Sequence, residues 1–214
     1  MQTQTNNERT ARSGFTLVEM LTVVAIIAIL AGLILSAVTN AKKEAMKRIA
    51  QSEMANLKGA IIKYEADYSI YPTTVTNGNN DVTFGTAHIT GVTYTGPAKE
   101  NSDVLDILRN VDPATHKGPN GHPRNPRHVV YIEPKPAIST DSPGVDVNGV
   151  YRDPWGSPYI ISLDTSFNDI AEDPVYNPGS DIKSSVLIWS LGPDKRANGD
   201  KSHGDNKDNV LGWR

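Results

Sequence analysis

Oxygen donors crowd one stretch of this chain. Residues 191–213, LGPDKRANGDKSHGDNKDNVLGW, carry Asp194, Asp200, Asp205 and Asp208 together with Asn198, Asn206 and Asn209. A hard divalent cation such as Ca2+ takes roughly six to eight oxygens from carboxylates, amides and backbone carbonyls, and a glycine-bearing loop can wrap around one. The spacing is not that of an EF-hand, which alternates its donors and closes on a glutamate. On composition alone, a solvated turn region accounts for these residues as well as an ion site does. His116, His122 and His128 lie six residues apart in HKGPNGHPRNPRH, a loop by its proline and glycine content, at a spacing that matches no metal-ligand pattern. They are read as exposed loop histidines.

A third group is a single acid, Glu19, inside RSGFTLVEMLTVVAIIAILAGLILSAV (residues 12–38). From Phe15 to Val38 it is the sole charge in a run long enough to cross a hydrocarbon core as a helix. An acid at the centre of such a helix costs about 2.5–3.5 kcal/mol on insertion scales, so it needs a partner. A cleaved signal peptide, with Thr39–Asn40–Ala41 as its cut site, or a plain anchor would gain nothing from that cost. A carboxylate capping the helix start is the simpler alternative, because the helix dipole favours it there. No nucleophile elbow, zinc motif, phosphate loop or convincing acid pair occurs elsewhere, so no catalytic residue is expected and the chain is not read as an enzyme. Trp155 and Trp189 are the candidates for stacking a ligand, should the chain be an anchored binding module.

The elements that must position these residues follow from periodicity. The chain has 214 residues, a net charge of −3 and no cysteine. That excludes disulfides and thiolate metal sites, and it gives no support for nucleic acid as a partner. Beyond Asn40 the apolar positions Met46, Ile49, Met54, Leu57, Ile61, Tyr64 and Tyr68 recur at helical steps between charged residues, predicting an amphipathic continuation of the helix. Pro72 disfavours helix at Tyr71, so a continuous helix from Phe15 to Tyr68 spans about 80 Å. Strands are expected over residues 86–96, 128–134, 158–164 and 185–192. A short helix is expected over 101–113, capped by Ser102 and burying Val104, Leu105 and Leu108. Asp153–Tyr159 (DPWGSPY) reads as a turn, with Pro154 presetting φ and Gly156 allowing it to be positive.

Three sets of residues carry a resemblance. GFTLVE (Gly14–Glu19) resembles the processing site of type IV prepilins and of type II secretion pseudopilins. AIIKYEADYSIYPTT, DPWGSPY and WSLGPDK…DNKDNVLGW occur in the order seen in the major pseudopilins of type II secretion. The resemblance implies a pilin-like α+β fold, with a long N-terminal helix packed on a small antiparallel sheet. It divides the chain into a leader (1–14), a transmembrane or filament-core helix (15–38), its amphipathic continuation (39–71) and a β-rich periplasmic domain (72–214), with residues of about 75–149 as an elaboration. It implies cleavage between Gly14 and Phe15 and methylation of the Phe15 amine by a prepilin peptidase. Glu19 of one subunit would then pair with the Phe15 ammonium of a neighbour during assembly. The implied partners are other copies of the chain, minor pseudopilins, an inner-membrane assembly platform and an ATPase. The implied location is the inner membrane, with the C-terminal domain in the periplasm, and the implied product is a pseudopilus. A surface pilus is the alternative; many pilins have a C-terminal disulfide that this chain cannot form. The resemblance also implies structural calcium in the 191–213 loop. There Asp194, Asp208 and Asn209 match the family's acidic positions and Leu191 offers its carbonyl, while Asp200 and Asp205 are further oxygen donors from the loop itself. Two features depart from expectation. Lys42, Lys43, Lys47 and Arg48 outnumber Arg9 and Arg12, which by flanking charge alone would place the C-terminal side in the cytoplasm. No proline interrupts the apolar run, where Gly32 is the one helix-weakening residue.

Overall fold

A computed structural model describes residues 14–75, 80–91, 100–118, 121–178 and 181–213. The proposed leader up to residue 13 and the expected strand beyond Gly91 lie outside the described residues. Helix α1 spans Leu17–Tyr68, with no proline inside it to break the hydrogen-bond ladder. It stops at Ser69, whose φ of 56° leaves the helical region before Pro72 is reached. The chain divides into two compact units, residues 1–44 and 45–214.

In the first unit, every large apolar side chain described between Phe15 and Val38 faces outward. The helix is long and apolar enough to cross a membrane, and none of its most apolar 18-residue window is buried.

The second unit is α+β. Its elements are the remainder of α1, then β1 (Val82–Phe84), β2 (Ile89–Thr90), α2 (Ser102–Arg109), β3 (Gly144–Val145), β4 (Tyr151–Arg152), β5 (Ile160–Leu163), β6 (Val186–Ser190), β7 (Ala197–Asn198) and β8 (Val210–Leu211). Strands β1, β5, β6 and β8 form one sheet in that order, antiparallel throughout, with Phe84 opposite Ile161 and Ile161 opposite Ile188. β2 pairs parallel with β7, and β3 antiparallel with β4.

Alternation along the central strands sends side chains to both faces of the sheet. Ile161, Leu163, Val186 and Ile188 join Met54, Leu57, Ile61 and Tyr64 of α1 in one core. Ile160 and Trp189 turn the other way and pack with Val175, Tyr176 and Leu191. Both faces of β5 and β6 are therefore covered, so every residue of both strands is buried and nearly all are apolar. Each large side chain buried in this way contributes about 1.5–3 kcal/mol.

Several expectations require correction. Ile49 is 46% exposed; the buried stripe instead runs through Ala50, Met54, Leu57, Ala60, Ile61 and Tyr64. Asn101, not Ser102, stands at the N-cap of α2, and its side chain makes no cap bond. The Asn101 amide instead donates to the carbonyls of Tyr151 and Tyr159, while its oxygen accepts from Tyr151 N–H, all within 2.8–2.9 Å. Residues 128–134 form no strand. Tyr131 N–H bonds to the Leu108 carbonyl, but Pro126, Pro134 and Pro136 offer no N–H, and the run gains no ladder. The 86–96 strand begins instead as a one-turn helix, Thr86–His88, followed by β2.

Candidate functional site

At the start of α1, Thr16 and Glu19 cap each other. The Glu19 carboxylate accepts from Thr16 N–H at 2.8 Å and from the Thr16 hydroxyl at 2.7 Å, and Glu19 N–H donates back to Thr16 Oγ1 at 3.2 Å. This reciprocal pattern is a capping box, which satisfies N–H groups that the first helical turn leaves free. Within one chain, then, the acid's partner is Thr16. Phe15 is 78% exposed, and nothing lies within 4 Å of where a Gly14 Cβ would sit.

The 191–213 loop folds back on its own beginning. Gly192 has φ of 71°, and a Cβ there would lie 2.3 Å from the Asp208 carbonyl oxygen, so only glycine permits this approach. Asp194 N–H donates to Asp208 Oδ2 at 3.1 Å. Partial burial raises the Asp208 carboxyl above its usual value against that backbone bond, and the charges of Asp194 and Asp205 push it further up. The Asn209 side-chain nitrogen donates to the Tyr176 hydroxyl and to Asn206, while its oxygen is buried with no hydrogen-bond donor. Asp194 and Asp208 thus meet where the loop closes, and the Asn209 amide oxygen is left without a donor; carboxylate and amide oxygens are the donor types a hard cation takes.

Asp200 is placed differently. Its carboxylate accepts from the backbone and hydroxyl of Ser202, which holds it below the usual carboxylate range. The Leu191 side chain is buried beneath the loop. Among the described residues, no three acids or histidines are already arranged as a metal cage.

His128 is exposed, as its loop was read, but the other two histidines of that loop are not. His122 is buried, and burial lowers its pKa. His116 Nδ1 lies 2.6 Å from Asp106 Oδ2. The Asp106 carboxyl is raised by burial against the pull of His116. Both histidines line a cleft of about 720 Å3 with Asp103, Asp106 and Arg124. Trp189 is also unsuited to stacking a ligand. It is fully buried, and its indole N–H donates to Asp173 at 2.9 Å. Trp155 is partly buried against the core.

The sequence reading missed a set of buried polar residues that brace the loops. Asp153 Oδ1 accepts from Trp155 N–H and Ser157 N–H, each at 2.9 Å, and its Oδ2 accepts from the Ser190 hydroxyl, tying the DPWG turn to β6. Asp173 accepts from Ser162, Trp189, Val175 and Tyr176. Asn125 binds the carbonyls of Ile107 and Val129 and receives the Tyr68 hydroxyl. Asp-x-x-Gly and Asp-Pro spacing was the available signal for the first two of these.

Against known proteins, residues 9–35 match the family model of the prokaryotic N-terminal methylation motif. The chain thus carries a type IV pilin-like signal, which supports a pilin-like or pseudopilin precursor in general and does not distinguish the two. Comparisons with curated proteins and with solved structures return no match.

Proposed function

We propose that the chain is a structural filament subunit, the major pseudopilin of a type II secretion system. The carrying observation is that the methylation motif leads directly into a helix whose apolar length is wholly unburied and whose continuation joins an α+β unit. A surface that apolar needs lipid or other copies of itself around it. In this reading a prepilin peptidase cuts between Gly14 and Phe15 and methylates the new amine. Methylation leaves the amine charged, and in a neighbouring subunit Glu19 exchanges its Thr16 contacts for that ammonium. Two charges that are each costly in lipid become one compensated pair, which favours assembly over the free subunit. The subunit is not an enzyme. It sits in the inner membrane with its second unit in the periplasm, and minor pseudopilins, an assembly platform and an ATPase complete the machine. Absence of cysteine favours a pseudopilus over a surface pilus.

Calcium is the proposed structural ion of the C-terminal loop. Asp194, Asp208 and Asn209 would hold it with the Leu191 carbonyl; Asp205 adjoins them, and Asp200 must first release Ser202 to take part. Without disulfides, an ion bound to the native state alone stabilises the closure of this loop. The test of the filament reading is recovery of the chain in sedimentable fibres from cells expressing it with its peptidase. Fibres that require the peptidase support the reading, whereas a chain that stays non-sedimenting in both cases overturns it. Loss of protein export rather than of surface fibres, on deleting the chain, selects the secretion role.

A further inference from the structure

Four cations follow the apolar run of α1: Lys42, Lys43, Lys47 and Arg48, with Glu44 the sole acid between Val38 and Ala50. All four are exposed, and none is in an ion pair among the described residues. The core of the second unit reaches α1 first at Ala50, beyond the last of them.

Their place along the helix decides what they meet. Thr39 turns its hydroxyl back onto the Leu35 carbonyl, which satisfies it without water, so the apolar character of the surface carries past Val38. At ~1.5 Å per residue, Lys42 stands about 6 Å beyond Val38 along α1 and Arg48 about 15 Å. The headgroup layer extends roughly 5–7 Å past the hydrocarbon on each side of a bilayer. Helical side chains lean toward the N-terminus, here back toward the apolar run, and the long stems of Lys and Arg extend that reach. Lys42 and Lys43 therefore stand among headgroups when the run spans a membrane, and Lys47 and Arg48 bring their charges to the outer edge of that layer. At about 100° per residue, the four spread over roughly two thirds of the helix circumference. A flat protein face can meet one side of such a collar, whereas lipids meet it on every side.

We propose that this collar binds the headgroups of anionic phospholipids in the leaflet at the C-terminal end of the apolar run, and so fixes the depth of the unassembled chain in the membrane. Phosphate oxygens accept the charge-assisted hydrogen bonds that Lys and Arg donate. Each cation near an anionic surface is worth about fivefold in partitioning. The collar rests on the membrane-spanning part of the filament reading and not on fibre formation.

The test reconstitutes the full chain in phosphatidylcholine vesicles containing roughly one part in ten phosphatidylglycerol, floats them on a density gradient, extracts the chain in mild detergent and measures the lipids it retains by mass spectrometry. The parent chain is expected to retain phosphatidylglycerol enriched about fivefold over the bulk bilayer, less in high salt. The chain with Lys42→Gln, Lys43→Gln, Lys47→Gln and Arg48→Gln together should still float and melt at the same temperature, but retain lipids in the bulk ratio. Replacing the three lysines by arginine should keep the enrichment, and Lys201→Gln with Lys207→Gln, two exposed cations of the C-terminal loop, should leave it unchanged. A bulk ratio in the parent, or an enrichment that survives loss of all four charges, overturns the collar. Loss of fibres in the fourfold variant with the enrichment intact assigns the cations to a contact between copies and overturns it as well. A parent chain that does not float removes the membrane-spanning reading and the collar with it, whereas one that floats without lipid preference removes the collar alone.

Discussion

Replacing Glu19 separates two roles that one carboxylate could serve. In the free chain it closes a capping box with Thr16 through bonds of 2.7–3.2 Å. Losing a helix cap costs about 1 kcal/mol. In the assembled filament it would neutralise a neighbour's ammonium, and an unpaired charge at the centre of a membrane helix costs about 2.5–3.5 kcal/mol, less near the interface. Glutamine keeps the capping box, since Glu and Gln serve equally at that position, but carries no charge. Glu19→Gln should therefore be cleaved and methylated normally yet fail to assemble, and Glu19→Ala should fail likewise. A loss of about 3 kcal/mol per contact lowers the association equilibrium roughly 150-fold. The assay is the fraction of processed chain that sediments after shearing, with processing checked by mass. Normal fibres from Glu19→Gln beside absent fibres from Glu19→Ala would show that the cap, not the charge, is what assembly needs.

Three further outcomes concern the second unit, each read from melting curves of the full chain in detergent. Gly192→Ala forces a Cβ to within 2.3 Å of the Asp208 carbonyl at a positive φ and should cost about 1–3 kcal/mol; Gly204→Ala, which meets nothing within 4 Å, should be neutral. Chelation should lower the melting temperature and added calcium restore it, by about 2.7 kcal/mol at a hundredfold excess over Kd; identical curves would remove the ion from the account. Burial pushes the Asp153 carboxyl up to about 6 against its several hydrogen bonds. A raised carboxyl holds its proton better in the folded state, so its contribution is greatest below about pH 4 and is lost as pH rises through 6, by about 3 kcal/mol. Relative to Asp153→Asn, the parent chain should lose stability across that window; a difference independent of pH would refute the shift.

Long-period patterns were readable from sequence because they report burial directly. The apolar run and the stripe through Met54, Leu57, Ile61 and Tyr64 specify α1, and the β-branched runs at 160–163 and 186–190 specify the central strands. Two-residue strands such as β3, β4, β7 and β8 are too short to show a period, and their pairing is set by contacts distant in the chain. Residues 128–134 have the composition of a strand, yet Asn125 and Leu108 satisfy part of their backbone, and among the described residues no strand pairs with them. Asp153, Asp164 and Asp173 look like solvated turn residues by type. They are in fact buried, because each collects the N–H groups of its own loop. The candidate site divides in the same way. GFTLVE is a local string whose meaning lies in its spacing, whereas the closeness of Asp194 to Asp208 depends on a loop closure that only the fold displays.

The filament reading turns on whether a new amine is made at the head of the apolar helix. Intact-mass and N-terminal fragment analysis of the chain recovered from its native membrane measures this. The account predicts a polypeptide that starts at Phe15 and carries a methyl group on its amine. A chain that keeps residues 1–14, or one that starts after Ala41, would contradict it.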